Sequence, residues 1–233
     1  MLNEYLELSE NSINLSEESI DNEIQLEFIE CSKANEKMLS ADEIIQRKEQ
    51  IFDKALSTDQ KKILLGQLAS ISNIEAYRTI ERFLKEPNSK LYEWTYLALM
   101  ANRLLIESHL LEENKVLITT GLGGKGHKLR YFIVFFTDDG SPITKLQQKI
   151  ICNELNFALK KFGAEIEDII FEDGFASFLT VVPMKVPVQI LFDSIIKECN
   201  EFGGFLFDDY IITNSKVLSI EEIREFLAVK NIF

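Results

Sequence analysis

The sequence predicts an α+β protein: a helical first half, then a segment that runs strand, helix, strand, strand, helix, strand. Three observations predict it. Residues 41–113 carry apolar residues at helical spacing. Residues 129–213 switch between period two and three-to-four spacing, and Gly, Pro or Asp punctuates each switch.

In the first half, Ser40 with Glu43 and Ser57 with Gln60 have the spacing of reciprocal helix caps. Breaks fall at Ser57, Asn73 and Pro87-Asn88-Ser89, so four helices are expected, the last from Leu91 to Leu111. The stretch Leu91 to Met100 is apolar nearly all round, as a central helix would be. Glu93 and Arg103 interrupt it, and it falls short of the ~18 uninterrupted apolar residues of a membrane span. The short-loop antiparallel pairs resemble HEAT-type helical hairpins, without a repeat period.

In the second half, Leu129 to Phe136 is rich in aromatic and β-branched residues and reads as a strand. Ser141 and Pro142 suit a helix start, and Gly163 suits its end. Ile166 to Phe171 and Phe175 to Val182 read as a hairpin around Glu172-Asp173-Gly174. A helix striped by Val188, Leu191, Ile195, Cys199 and Phe202 follows, then a strand over 205–213. Ser219 and Glu222 open a last helix with a capping box. This βαββαβ order is the ferredoxin-like unit, two helices over one face of a four-stranded sheet. Its strand order, 4-1-3-2, leaves no place beside strand one for Val116 to Thr120.

The expected organisation is an acidic, mobile tail over 1–39, a helical domain over 40–113 and a ferredoxin-like domain over 114–233. Of the net charge of −13, residues 1–30 contribute nine acids and no Lys or Arg, whereas the rest holds 29 acids against 25 bases. Such a tail buries too little apolar surface to offset its ordering entropy. Within it, Ile24 to Ile29 alternates like a strand able to pair with a sheet edge. Three scattered cysteines (Cys31, Cys152, Cys199) suit reduced thiols in a cytoplasm, and no apolar run suits a secretory signal.

Three places could carry chemistry. The first is the Gly-rich stretch 121–128, where Gly123, Gly124, Lys125, His127 and Lys128 are candidates for anion or ligand binding. No Ser or Thr follows Lys125 and no helix follows the loop, so a hairpin turn competes with that reading. The second is a set of carboxylates at the opposite end of the sheet: Asp138, Asp139, Glu172, Asp173 and Asp208. Gathered there they could hold Mg²⁺ or Mn²⁺, an arrangement similar to the palm domains of polymerases and nucleotide cyclases. Asp-Asp-Gly and Glu-Asp-Gly are equally ordinary turns, and no other cofactor is indicated. The third is the histidine pair, His109 and His127, which have no motif partner in local sequence.

The strands add an argument about partners. Strand one is apolar on both faces, with Tyr131, Ile133 and Phe135 on one and Phe132, Val134 and Phe136 on the other. A sheet with helices on one face only would leave a large apolar patch. The expected cover is the N-terminal helices, a second copy or a protein partner. The acidity and the lack of a basic surface disfavour nucleic acid, and no membrane is implied. The expected function is a non-catalytic interaction or adaptor protein. The alternatives are a small-ligand regulatory domain resembling the ACT type, and a metal-carboxylate phosphoryl-transfer site.

Overall fold

The computed structural model describes residues 13–35, 39–86, 89–112 and 115–229, which form two compact units. The first comprises 13–16 with 20–119, and the second 17–19 with the residues from 120 onward.

The first unit is helical. Strand β1 (Ile13–Leu15) precedes α1 (Asn22–Asn35), α2 (Ala41–Gln46), a 3₁₀ turn (Lys48–Phe52), α3 (Thr58–Ala69), α4 (Ile74–Leu84), α5 (Tyr92–Leu111) and β2 (Val116–Ile118). Both expected capping boxes are present: Ser40 with Glu43, and Ser57 with Gln60. Asn73 caps α4 by accepting from the backbone N–H groups of Glu75 and Ala76. Helix α5 is central, burying Trp94, Leu97 and Ala98 among Leu64, Leu65, Leu68, Ile80 and Ile51. Buried Asn102 ties it to the end of α3, donating to the carbonyls of Leu68 at 2.9 Å and Ile71 at 2.7 Å.

The alternation at Ile24 to Ile29 is not a strand, and residues 22–35 are not an unstructured spacer. Ile24, Phe28 and Cys31 also fit helical spacing, and that period wins because it points them at the helical core. Phe28 meets Trp94 edge-on at 5.3 Å, while Leu26 and Ile29 face solvent. Residues 1–12 and 36–38 of the expected tail, and Pro87-Asn88, lie outside the described residues. Strand β2 pairs in parallel with β1, Ile13 opposite Val116. That is where Val116 to Ile118 pairs, in a two-stranded sheet of its own.

The second unit is ferredoxin-like. Its elements are β3 (Gly124–Lys125), β4 (Lys128–Phe136), α6 (Lys145–Lys161), β5 (Glu165–Glu172), β6 (Phe175–Pro183), α7 (Val188–Asn200), β7 (Ile211–Thr213) and α8 (Ile220–Val229). The sheet runs β7-β4-β6-β5, antiparallel throughout, which is the expected 4-1-3-2 order. The outer edge of β4 is shared. β3 takes Lys128 and Leu129, and β7 takes Phe132 to Val134.

Two element boundaries differ from expectation. Asp139 accepts from the backbone N–H and hydroxyl of Ser141, which holds that residue in a turn, so α6 starts at the Thr144–Gln147 capping box instead. The last strand covers only three residues. Ahead of it Leu206 makes a single antiparallel bridge to Thr137, and on its other edge the Asn200 side chain accepts from the Leu206 N–H and donates to its carbonyl, imitating a strand partner.

Both sheet faces are covered within this unit. On one, Ile133, Phe135, Ala176 and Phe178 pack under α6 and α7. On the other, Phe132, Val134, Phe136 and Phe175 pack with Ile223 and Leu227 of α8. The double-sided apolar strand is therefore explained by the C-terminal helix. The N-terminal helices, a second copy or a protein partner on an open sheet face are not needed.

Candidate nucleic-acid interface

The glycine stretch folds as a tight hairpin. Gly123 and Gly124 are buried, and their backbone is spent internally. The Gly123 N–H donates to Thr120 O at 3.0 Å, its carbonyl accepts from the Arg130 N–H at 3.1 Å, and Gly124 pairs with Leu129. The exposed Gly126 N–H donates to Glu17 Oε1 at 3.0 Å. Lys125 and Lys128 both reach Glu165, at 3.2 and 2.5 Å, and Arg130 forks onto Glu167. His127 is exposed at the turn, and its carbonyl accepts from the Met184 N–H. Two acids thus meet three bases, a third takes the Gly126 N–H, and the backbone N–H groups that would cradle an anion are engaged by the chain itself.

These pairs set a pH dependence. Hydrogen bonds from Lys128 and Lys125 hold the Glu165 carboxyl below its ordinary value, and those from Arg130 do the same for Glu167. A carboxylate depressed in the folded state stabilises fully above its unfolded value, about 4.3, and loses that contribution as pH falls through the folded one. The urea midpoint of the wild type is expected to fall more steeply with acidification than that of Glu167→Gln. Parallel curves would mean that the pair contributes nothing.

At the other end of the sheet the candidate carboxylates are dispersed. Asp139 caps Ser141, and the Asp138 N–H donates to Phe205 O. Asp173 borders a hollow with Arg224 and Leu227, whereas exposed Asp208 borders a different one with Asp193 and Lys197. Glu172 closes β5 opposite Phe175. Among the described residues no three His, Cys, Asp or Glu side chains converge to hold a metal ion.

Burial, with Glu154 and Glu198 nearby, pushes the Cys199 thiol up to about 12, and burial also raises Cys152. Burial and the Asp193 carboxylate push the Tyr210 phenol far up, and its hydroxyl donates to Gln189 O at 3.2 Å. His109 is exposed near the end of α5.

One surface stands apart. Helix α6 holds four lysines and one acid, Glu154, in an acidic chain. At 3.6 residues per turn, about a third of its circumference presents Lys145, Leu146, Lys149, Asn153, Asn156, Phe157 and Lys160, all exposed. No acid lies on that arc, and Lys161 flanks it, 5.9 Å over the Phe162 ring. Among the described residues none of the four lysines forms an ion pair, whereas the hairpin bases all do. Phe157 is 73% exposed and Leu146 70%. The sequence shows this face only as the complement of an apolar stripe, read as Ile143, Leu146, Ile150, Ile151, Leu155, Ala158, Leu159 and Phe162; Leu146 and Phe162 are exposed instead, so they leave that stripe. The lysine count within 145–161 is the signal that finds it.

No family model matches the chain, and no curated protein matches it. Among solved structures it resembles a proposed transposase from Deinococcus radiodurans R1, at 13% identity and TM-score 0.37, over 47% of this chain and 95% of that one. It also resembles a REP associated tyrosine transposase bound to a REP hairpin, at 9% identity and TM-score 0.33, over 42% of this chain. The chain spans 61% of that second structure. Likeness at this level transfers no residue roles.

Two expectations are corrected here. The non-catalytic adaptor was argued from an open apolar sheet, and α8 closes that sheet; the metal-carboxylate alternative was argued from acids at one end of the sheet, and among the described residues no three of them converge. Nucleic acid was disfavoured on net charge and a missing basic surface. Net charge hides the local basic face of α6. Among the described residues no helix is long and apolar enough to cross a membrane.

Proposed function

We propose that the ferredoxin-like unit binds nucleic acid along the solvent face of α6, in the cytoplasm, with Lys145, Lys149, Lys160 and Lys161 on backbone phosphates and Phe157 under an unstacked base. The supporting observation is the acid-free arc of α6, where unpaired lysines, two asparagines and an exposed aromatic share one face. Local charge, not net charge, governs phosphate contact within a Debye length of about 8–10 Å. From Lys145 to Lys160 the helix rises about 22 Å, which matches six or seven nucleotide steps of about 3.4 Å. Aromatic stacking is indifferent to base identity and needs an unpaired base, so the reading favours single strands or hairpin loops over plain duplex. Lys128 and Lys125 would join the track only by exchanging Glu165 for a phosphate.

Fluorescence anisotropy with a labelled DNA hairpin, a single strand and a duplex, in low salt, tests this reading. The hairpin and single strand are expected to bind, with a log–log salt slope of about −2 to −3 for three or four single-strand contacts. Lys149→Glu with Lys160→Glu is expected to abolish binding, and Phe157→Ala to weaken single-strand binding by about tenfold at about 1–3 kcal/mol per stacked base. Equal binding by the doubly reversed variant, or none by the wild type, overturns the reading.

A further inference from the structure

The helical unit contains a groove of about 470 Å³, within the range of small-molecule sites of about 300–1,000 Å³. Phe28 and Ile29 of α1, Leu104 and Leu105 of α5 and Leu117 of β2 form its apolar walls. Gly66, Ala69 and Ala101 line it with almost no side chain, which leaves space between α1, α3 and α5. Ile29 and Leu105 are 47% and 37% exposed, so apolar surface stays open to solvent here.

The polar lining has one sign. Ser32, Ser70 and Ser108 supply hydroxyls, Lys33 and Lys115 supply ammonium groups, and no Asp or Glu lines the groove although acids outnumber bases 38 to 25 in the chain. Lys115 is largely buried and pairs with Glu107 at 3.1 Å. That carboxylate also takes Arg103 at 2.7 Å, so the corner keeps one net positive charge. Among the described residues Lys33 forms no ion pair. It is exposed and sits in the last turn of α1.

We infer that this groove binds a single-chain amphiphile with an anionic head, a medium-chain fatty carboxylate, with its alkyl chain along Phe28, Leu104 and Leu117 and its carboxylate toward Lys33 and the hydroxyls of Ser32 and Ser108, the Ser70 hydroxyl being spent on Gln67 O. A volume of this class holds a small molecule rather than a protein segment, and the absence of acids selects an anion over a cationic or neutral amphiphile. The site lies in the helical unit and stands independently of nucleic-acid binding by α6.

Titration calorimetry on the full chain tests it, with sodium decanoate, decanol and decyltrimethylammonium as probes below their aggregation limits. Saturable binding of one decanoate per chain is expected, with decanol weaker and the cation silent. Lys33→Glu, a surface change, is expected to weaken decanoate at least threefold and leave decanol unchanged. Leu105→Asp is expected to abolish both, with its fold checked by circular dichroism. The proposal is overturned if decanoate gives no saturable heat, if the three probes bind alike, or if Lys33→Glu binds decanoate as the wild type does. Light scattering excludes the remaining occupant. A dimer that Leu105→Asp dissolves and decanoate does not would place a second copy in the groove and overturn the proposal.

Discussion

Replacing Ile223 and Leu227 together by alanine is expected to unfold the ferredoxin-like unit or leave it barely stable. The two side chains are 1% and 3% exposed and lie on Phe132, Val134, Phe136 and Phe175. Truncating a buried Ile or Leu costs about 2–5 kcal/mol, and a domain has only about 5–15 kcal/mol in total. The loss is compounded because the helix loses its apolar face and uncovers the second side of β4 to water. Urea denaturation reads the stability, and binding of a hydrophobic dye reads the uncovered sheet. Val229→Ala, at an 84% exposed position on the same helix, is the control and should change little. If the double variant denatures like the wild type, α8 is not the cover, and the sheet face returns as a surface for partners.

Gly121→Ala is expected to be among the most damaging single changes in the chain. A Cβ at this position would stand 1.7 Å from the backbone carbonyl oxygen of Ser215, and backbone cannot rotate aside as a side chain would. The Gly121 carbonyl also accepts from the Ser19 hydroxyl, and Leu122 N–H donates to Asn214 O, so displacement there breaks neighbouring contacts. Overpacking of this severity costs about 3 kcal/mol or more. Gly126→Ala offers the contrast. Its φ of 59° is left-handed, yet nothing lies within 4 Å of an added Cβ, so the cost is about 1–2 kcal/mol of backbone strain. Thermal melts of the two variants separate packing from conformation. Equal, small losses would mean that the close approach at Gly121 relaxes without penalty.

The glycine stretch shows where local sequence misleads. Four glycines beside three bases have the composition of an anion cradle, and no spacing rule tells which partners the backbone will find. The partners are Thr120, Leu129 and Glu17, and for the bases Glu165 and Glu167, up to 109 residues away in sequence. The carboxylate set failed differently. Asp139 and Asp208 end neighbouring segments, but exposed Asp139 is engaged in the turn at Ser141 while Asp208 borders another hollow. Helix α6 was legible in its buried stripe, and its exposed lysines were equally visible. Their significance emerges once every hairpin base is seen to be ion-paired and these are not.

By itself the sequence determined the type and order of most elements. Capping boxes at Ser40, Ser57 and Ser219, the two-residue turn at Asp173-Gly174 and the apolar periods of β4, β6 and α7 are satisfied within a few residues, so their physics is local. Tertiary structure alone decided what covers the second face of the sheet, where Val116 to Ile118 pairs, and whether Ile24 to Ile29 obeys period two or period three-to-four. Hydrophobic burial has no direction, so an apolar face specifies that it must be covered without specifying by what. Ladder hydrogen bonds are chemically identical at every register and edge, so a short strand finds its partner through the space the rest of the fold leaves open.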